Sequence, residues 1–174
     1  MLIKESKSLK CFILLYAERV ISFNYNHYKK ERLGMTFDMT DRGKQPVVEN
    51  IEEWTSANEN YRTTVWTGSK MQMTLMTIQP GDDIGLEVHE GIDQFLRIEE
   101  GTGLCQMGPS EDNLDFEKEV GPDFAILVPA DMWHNVTNTG DKPLKLYTLY
   151  AGPDHVPGTV HPTHEDAEND PNEH

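Results

Sequence analysis

Four side chains of the types that bind metal ions stand in two short segments of the chain. Glu87 and His89 lie two residues apart, and Gln94 follows in the same segment, whereas His134 lies in the second. Because residues two apart on a β-strand point to the same face, Glu87 and His89 can bind one ion. Gln94 and His134 would reach that ion from neighbouring strands. The pattern therefore predicts a divalent metal site within a β-structure.

The predicted ligand set consists of two imidazoles, one carboxylate and one amide oxygen. This mixture of nitrogen and oxygen donors favours Fe(II), Mn(II) or Zn(II) over copper, and Ni(II) or Co(II) can also occupy such a site. Four protein ligands on an octahedral ion leave two positions open, which is enough for a bidentate substrate or for a substrate together with dioxygen. The alternative is a barrel without metal, in which Glu87 and Gln94 only form hydrogen bonds.

The elements that would position these ligands are short β-strands. From Arg62 onward, strand-like stretches alternate with Gly and Pro turn signals, which is typical of an all-β sandwich or barrel. One helical turn is predicted at residues 51–54, and no longer helical stretch is indicated. The predicted strands cover residues 63–67, 71–78, 85–89, 94–99, 103–107, 116–120, 125–128, 134–138 and 144–150.

Charge and cysteine content limit the expected partners and location. The 174 residues carry a formal net charge of -15, and the acidic residues are concentrated after residue 34. So acidic a body repels nucleic acid and anionic membranes, and no apolar run is long enough to span a bilayer. Cys105 is the single cysteine after Cys11. We therefore expect a reducing, cytoplasmic location without an internal disulfide, and Cys105 packed as a small hydrophobe.

The N-terminal part of the chain divides into two regions. Residues 1–34 are basic and unlike the rest. A signal peptide is one interpretation, but the apolar run is short and no cleavage site follows it. Residues 29–32 have the composition expected from a translated ribosome-binding site, so we favour Met35 as the start of translation. Residues 35–62 then form an N-terminal arm.

The remaining chain divides into a barrel and a tail. The barrel is expected to cover residues 63–152. Residues 153–174 are acidic and interrupted by prolines, so this tail is expected to be largely disordered, from about Glu165 onward. In this interpretation His161 and His164 are solvent-exposed tail histidines rather than metal ligands.

Further residues are candidates for lining the interior. Lys145 alternates with leucines and is expected to point to solvent. Arg62 and Arg97 are the nearest cations that could hold a phosphate. Apolar walls could come from five residues, although core packing explains each equally well: Trp66, Met76, Phe95, Trp133 and Tyr147.

The two ligand-bearing segments together resemble the paired motifs of the cupin superfamily. Glu87 takes the place of the first motif histidine, and Gln94 takes the place of the motif glutamate. Asp131 replaces the usual glycine in the turn before the second motif's histidine, and Asp tolerates the left-handed backbone that this turn needs. All nine motif positions have the right spacing, and six carry the usual residue: Gly81, His89, Gly101, Pro129, His134 and Asn138.

The resemblance covers roughly residues 63–150 and implies a cupin double-stranded β-helix, which is a jelly-roll barrel. It also implies a divalent metal ion bound by Glu87, His89, Gln94 and His134. The phrases DQFLRIEEG at residues 93–101 and WHNVTNTG at residues 133–140 are similar to small bacterial single-domain cupins.

The function expected from site and resemblance together is a metal-dependent enzyme of dioxygenase type that acts on a small molecule. One alternative is a sugar or sugar-phosphate isomerase, comparable to mannose-6-phosphate isomerases. The other is a non-catalytic module that binds a small molecule. Because small cupins often pair through their sheets and open edges need cover, a homodimer is also expected.

Overall fold

The computed structural model describes residues 37–172, so the segment 1–34 and the expected start at Met35 lie outside the described residues. Within that range the chain forms β-strands and two short helices, and neither helix is long and apolar enough to cross a lipid bilayer. In chain order the elements are α1 (Ile51–Ala57), β1 (Arg62–Thr67), β2 (Gln72–Ile78), β3 (Gln94–Glu100), β4 (Gly103–Gly108), β5 (Phe116–Val120), β6 (Ala125–Val128), β7 (Trp133–Asn138), β8 (Leu144–Tyr150), β9 (Val160–His161) and α2 (His164–Glu168).

The strands form two antiparallel sheets that share one core. One sheet has six strands in the order β6-β3-β8-β2-β1-β9, and the other has three in the order β5-β4-β7. In β8, Leu144 and Leu146 are fully buried, whereas Lys145 between them is partly exposed. These leucines pack in one cluster with Val136 of the opposite sheet. Inward-facing residues of both sheets therefore build the core, which confirms the predicted all-β fold class.

Strand β2 is buried on both faces, as its continuous apolar sequence predicts. Leu75 and Met76 point to opposite faces, yet neither is more than 2% exposed. Met76 lies in the core, and helix α1 contacts β2. Helix α1 begins after Asn50, whose side chain accepts a hydrogen bond from the Glu53 N–H, and it buries Trp54. A sequence that is apolar on both faces thus corresponds to a strand in the middle of its sheet.

Lys145 was expected to point into solvent, but its side chain contacts the end of helix α1 instead. Its Nζ donates to the backbone oxygens of Ser56 and Asn58, each at 2.6 Å. These oxygens lie at the C-terminal end of α1, where carbonyl groups lack helical partners and attract a cation. Burial lowers the pKa of Lys145. The alternation along β8 identified the outer face correctly, but it could not show that a helix end lies above it.

The predicted strand at residues 85–89 is not a regular strand. The segment forms isolated bridges to β7, in which Asp83 pairs with Thr137 and Glu87 pairs with His134. Between these bridges the backbone of Gly85 has a φ of 90°, in the left-handed region that glycine adopts readily. Regular pairing is interrupted there, but the bridges still hold the segment along β7.

The C-terminal segment is also ordered where disorder was expected. Strand β9 pairs with β1, with Val160 opposite Thr63 and His161 opposite Arg62. This pairing covers backbone groups that would otherwise stand at the open edge of the sheet. His161 is only 4% exposed, which corrects its expected exposure to solvent. The acidic composition of the tail did not reveal that a sheet edge was available to it.

Helix α2 fixes the rest of this segment to the barrel. It begins at Thr163, which forms a capping box with Asp166. His164 Nδ1 lies 2.6 Å from Asp82 Oδ1, and the His164 ring stacks on Tyr61 with centroids 4.6 Å apart. His164 is therefore a structural contact rather than an exposed tail residue. The capping box and the ring contact explain the order of this acidic stretch.

Candidate metal centre

The structure brings Glu87, His89 and His134 together. Glu87 Oε1 lies 3.2 Å from His89 Nε2 and 3.3 Å from His134 Nε2. One ligand atom from each of the three residues lies within 4.8 Å of the others. Two donor atoms on neighbouring corners of an octahedron, each about 2.1 Å from the ion, are about 3.0 Å apart. The three side chains are therefore spaced to bind a single ion with little movement.

Backbone pairing places Glu87 beside His134. The backbone N–H of Glu87 donates to the backbone oxygen of His134 at 3.0 Å, and the backbone N–H of His134 donates to the backbone oxygen of Glu87 at 2.9 Å. Residues paired in this way project their side chains to the same face. His89 lies two positions beyond Glu87 and returns to that face. The bridge between the two motifs thus brings the three candidate ligands together.

Asp131 connects the two ligand-bearing segments. Its φ of 64° lies in the left-handed region, as expected for this turn position. The Asp131 N–H donates to the His89 oxygen at 3.0 Å, and Asp131 Oδ1 accepts from the Gly91 N–H at 2.9 Å. The second contact needs a side chain. Asp131 therefore adds a hydrogen bond between the two segments that the usual motif glycine could not form.

Both imidazoles present Nε2 toward Glu87. His134 Nδ1 lies 3.1 Å from the Met132 backbone oxygen, and His89 Nδ1 lies 3.2 Å from Asp154 Oδ1. An imidazole that donates through Nδ1 presents the lone pair of Nε2 to a metal. Although Glu87 is near, His134 Nε2 has no hydrogen-bond partner of good geometry among the described residues. A buried nitrogen of this kind fits the role of a metal ligand.

The charges of the centre are strongly coupled. Burial alone would raise the pKa of Glu87, but the close approach of the His134 and His89 rings to its carboxylate outweighs burial and holds that pKa well below its usual range. Burial would lower the pKa of His89, but Asp154 and Glu87 outweigh it and raise the pKa to about 10. Without metal at neutral pH, His89 is therefore a cation between two carboxylates. A divalent ion would take the place of its proton.

Gln94, the fourth predicted ligand, is buried on the interior face of β3. It is 3% exposed, and its Nε2 donates to Thr148 Oγ1 at 3.1 Å. Its Oε1 accepts no hydrogen bond from residues 37–172. A buried amide oxygen without a partner is costly, and a cation would satisfy it. The role of Gln94 as a ligand stays a prediction, and the unsatisfied Oε1 atom supports it.

The apolar residues considered for the cavity wall separate into two groups. Met76 lies in the core between the sheets. Phe95 and Tyr147 lie on the outer face of the six-stranded sheet, with ring centroids 6.1 Å apart, because each is one position away from an inward-facing residue. By the same alternation, Trp66 and Trp133 also face outward. Met76 is therefore the one residue of this group that faces inward.

Two residues near the centre were missed by sequence reasoning. Tyr150 is 1% exposed, and its ring packs edge-on against the ring of His89 with centroids 5.2 Å apart. The Tyr150 hydroxyl lies 3.0 Å from His155 Nε2. Asp154, which contacts His89, belongs to the segment that composition assigned to the tail. No motif includes these positions; alternation along β8 would have placed Tyr150 on the inner face, but no signal in the sequence would have identified Asp154.

Comparison with known proteins agrees with the fold. The family profile described as a cupin domain matches residues 74–150. The protein YrkC of Bacillus subtilis (strain 168) is 54% identical over 129 residues, which are 74% of this chain and 69% of YrkC. The protein L612 of Acanthamoeba polyphaga mimivirus is 36% identical over 123 residues, which are 70% of this chain and 75% of L612.

A solved structure shows the same architecture. The crystal structure of BH2720 from Bacillus halodurans is 56% identical in sequence, has a TM-score of 0.74, and covers 75% of this chain and 99% of its own. Together with the two facing antiparallel sheets and the two motifs, these similarities establish the class of protein. The chain belongs to the cupin superfamily.

Proposed function

We propose that this chain is a metal-dependent cupin enzyme of dioxygenase type. Glu87, His89 and His134 would bind iron(II), with Gln94 as a fourth ligand. The observation that carries the proposal is the approach of both histidine Nε2 atoms to Glu87 Oε1, at 3.2 and 3.3 Å. Two histidines and one carboxylate with open positions are the ligand set of non-haem iron(II) oxygenases.

The residues of the centre have separate tasks in this proposal. Glu87 supplies the negative charge beside the ion, and Asp154 orients the ring of His89. When bound, the ion supplies Lewis acidity and, as iron(II), a place for dioxygen. Burial raises the pKa of Tyr150 well above its ordinary value, so this residue keeps its hydroxyl proton beside His89.

A sugar or sugar-phosphate isomerase is the second candidate, and the buried position of one arginine is compatible with it. Such an enzyme needs a cation to hold the phosphate, and the sequence offered Arg62 and Arg97. Arg97 forms ion pairs with Asp123 and Glu99 on the outer face of the sheet. Arg62, in contrast, is 4% exposed on the interior face. An interior cation is compatible with an anionic substrate in either reaction.

The test combines metal analysis with oxygen uptake. Protein purified without chelators is analysed for metal, and the iron(II) form is then screened for substrate-dependent oxygen consumption. Stoichiometric metal together with oxygen uptake supports the proposal. Stoichiometric zinc without oxygen uptake favours the isomerase instead. Absence of stoichiometric metal refutes both enzymes and leaves the binding module.

A matched pair of variants links the result to the site. Glu87→Gln keeps the size of the side chain but removes the charge, so it should lose both metal and oxygen uptake. Glu90→Gln makes the same change at an exposed position three residues later and should retain both. Equal behaviour of the two variants would show that the metal lies elsewhere.

A further inference from the structure

One row of side chains crosses the three-stranded sheet and ends at the candidate metal centre. Phe116 of β5 pairs with Met107 of β4, and Met107 pairs with His134 of β7. His134 in turn pairs with Glu87. Paired residues project their side chains to the same face, so all four lie on one side of the sheet. Beyond the two candidate ligands, the row therefore consists of a methionine and a phenylalanine.

This side of the sheet is the interior face of the barrel. Cys105 lies two positions from Met107, and Val120 lies four positions from Phe116, so each shares a face with its partner. Both Cys105 and Val120 belong to the hydrophobic core, and Met107 packs against that core. Phe116 therefore lies on the interior face, although β5 is the edge strand of its sheet.

The row becomes more exposed with distance from the candidate metal centre. His134 is 0% exposed, Met107 is partly buried, and Phe116 is 54% exposed. The side chain of Glu87 is 22% exposed, so solvent reaches the centre itself. The two apolar side chains thus have accessible surface beside an accessible centre. They form a wall that leads outward from the ligands rather than a part of the closed core.

The hairpin loop that follows β4 packs on the other side of the sheet. A Cβ at Gly108 would overlap the backbone oxygen of Asn113. Because Gly108 is one position from Met107, this contact lies on the outer face. The close approach of the loop at Asn113 therefore does not cover the side chains of Met107 and Phe116.

The chemistry of the row favours an apolar ligand. Apolar surface in contact with water is unfavourable, and a ligand that covers it gains affinity. Small-molecule sites typically combine apolar walls with a few polar groups that orient the ligand. The row carries no charge beyond Glu87 and His134, although the protein has a net charge of -15. Met107 and Phe116 therefore fit a hydrocarbon group better than an ionic one.

We propose that Met107 and Phe116 form the apolar wall of the substrate site. The substrate is then a small molecule with an oxygen donor group that binds the metal and an aromatic or aliphatic portion that packs on these two side chains. Neighbouring strands lie about 4.8 Å apart, so Phe116, two strands from His134, meets a portion roughly 10 Å from that strand. The inference rests on the proposed function, because the metal fixes one end of the substrate.

Hydroxamates of different length test the wall, because they share one metal-binding group and differ only in their tails. Acetohydroxamate, hexanohydroxamate and 3-phenylpropionohydroxamate are titrated into the Zn(II)-loaded protein by calorimetry. A fully buried CH₂ group adds about fourfold in affinity, so both longer probes should bind about tenfold or more tightly than acetohydroxamate. Equal affinity of the three probes would overturn the proposal.

Dependence on Phe116 locates the tail. Phe116→Ala should weaken binding of 3-phenylpropionohydroxamate about fivefold or more relative to acetohydroxamate, whereas Phe116→Leu retains part of the difference. Phe124→Ala is the matched control. Phe124 is 44% exposed, but its backbone oxygen accepts from the Ile98 N–H, four residues along β3 from Gln94. The control should bind both probes as the parent does, and equal behaviour of Phe116→Ala and Phe124→Ala would refute the wall.

Met107 provides a second test nearer to the metal. Met107→Ala should weaken binding of both longer probes more than binding of acetohydroxamate, because the methyl group of alanine covers less of the tail. Circular dichroism would show that the fold is kept. Equal weakening of all three probes would count against contact between Met107 and the tail, since it would point to a change in the metal centre itself.

The titrations also separate this inference from the proposed function. Stoichiometric zinc and acetohydroxamate binding without any gain from the tail would remove the wall and leave the metal-dependent enzyme in place. Absence of stoichiometric metal would refute the enzyme, and 3-phenylpropionamide, which carries the same tail without a strong metal-binding group, is then the probe. Phe116-dependent binding of this amide would support the wall in a metal-free module, and no binding would overturn both proposals.

Discussion

In the metal-free protein, the imidazolium of His89 lies between the carboxylates of Glu87 and Asp154 at the centre of the barrel. The pKa of His89 is raised to about 10 from its ordinary value of 6.5, because Asp154 and Glu87 outweigh the effect of burial. The pKa of Glu87 is held below its ordinary value of 4.5 by the two histidines, against the effect of burial. Metal binding must therefore displace a proton from His89, whereas it meets Glu87 already ionised.

We predict that metal affinity rises with pH and that binding releases a proton from His89. Below the folded pKa of about 10, each pH unit should raise the affinity by about tenfold until other ligands compete. Titration calorimetry at pH 7 in buffers of different ionisation enthalpy measures the proton release. Binding without proton release would show that His89 is neutral or is not a ligand.

The same shifts determine how the metal-free protein responds to pH. His89 has a raised folded pKa, so its contribution to stability is complete below 6.5 and is lost as the pH rises to about 10. Glu87 has a lowered folded pKa, so its contribution is complete above 4.5 and is lost as the pH falls further. Glu87 and His89 together therefore stabilise the metal-free fold most between pH 4.5 and pH 6.5.

For His134→Ala we predict loss of metal with the fold retained. Replacing residues that only orient ligands already lowers metal affinity about 10-fold to 100-fold, so loss of a ligand should exceed about 100-fold. Metal titration measures the affinity, and far-UV circular dichroism monitors the fold. His164→Ala is the control, because His164 contacts Asp82 and Tyr61 outside the three ligands. Unfolding of the His134 variant without any change in bound metal would identify His134 as a core residue only.

Among the elements, the C-terminal segment adds a contact to the candidate metal centre that neither motif contains. Asp154 follows β8 directly and reaches His89, outside the part of the chain that the family profile matches. The position of Asp154 is fixed by Gln72, whose Oε1 accepts from the Asp154 N–H at 3.0 Å. The orientation of the His89 ring therefore depends on the path of the chain after β8.

We predict that Asp154→Asn weakens metal binding about 10-fold to 100-fold, because the amide cannot supply the charge that orients and polarises the His89 ring. Proton release on binding should decrease as well, since the pKa of His89 would fall. Asp170→Asn is the matched control: it also changes a carboxylate beside a histidine in this segment, but that histidine is His161. If both variants bound metal equally, Asp154 would have no role in positioning His89.

Two motif glycines allow a comparison of turn geometry with close packing. Gly81 and Gly101 both have positive φ, at 82° and 87°. A Cβ at Gly81 would meet nothing within 4 Å, whereas one at Gly101 would lie 2.7 Å from the Pro143 oxygen and 2.8 Å from the Leu144 Cα. Gly101 therefore serves both the turn and the close approach of a neighbouring strand, while Gly81 serves the turn alone.

Gly81→Ala is accordingly expected to lower the free energy of unfolding by about 1–2 kcal/mol, the cost of a left-handed alanine. Gly101→Ala should lower it by about 1–3 kcal/mol more, because backbone atoms must move to admit the methyl group. Urea unfolding of both variants measures the difference. Equal losses would mean that the strand beside Gly101 relaxes freely.

At the scale of the whole molecule, metal binding should appear as stability. The candidate ligands come from two segments that lie far apart in the chain, with His134 in one and the others in the second, so an unfolded chain cannot bind the ion in the same way. At a metal concentration 100 times the dissociation constant, the gain is about 2.7 kcal/mol, or about 5–10 °C in the unfolding midpoint. Thermal unfolding with and without metal measures it. His134→Ala should show no such gain, and an equal gain in that variant would place the metal elsewhere.

Much of the architecture was predictable from local sequence. Eight predicted strands agree with the structure to within one residue at either end, because alternation and turn residues act over only a few positions. The spacing of Glu87, His89 and His134 within the two motifs also predicted their meeting. The segment around Gly85 differs, since a left-handed glycine breaks a strand that alternation alone suggests.

What the sequence determined by itself is therefore the set of strands and the chemistry of the candidate ligands in the two motifs. The tertiary structure alone decided that Asp154 reaches His89, that Arg62 lies inside the barrel while Arg97 lies outside, and that an acidic tail forms β9 and α2. The physical reason is the distance along the chain over which each interaction acts. Strand formation and side-chain alternation depend on neighbours in sequence, whereas burial, ring orientation and edge pairing depend on residues that become neighbours only when the sheets close.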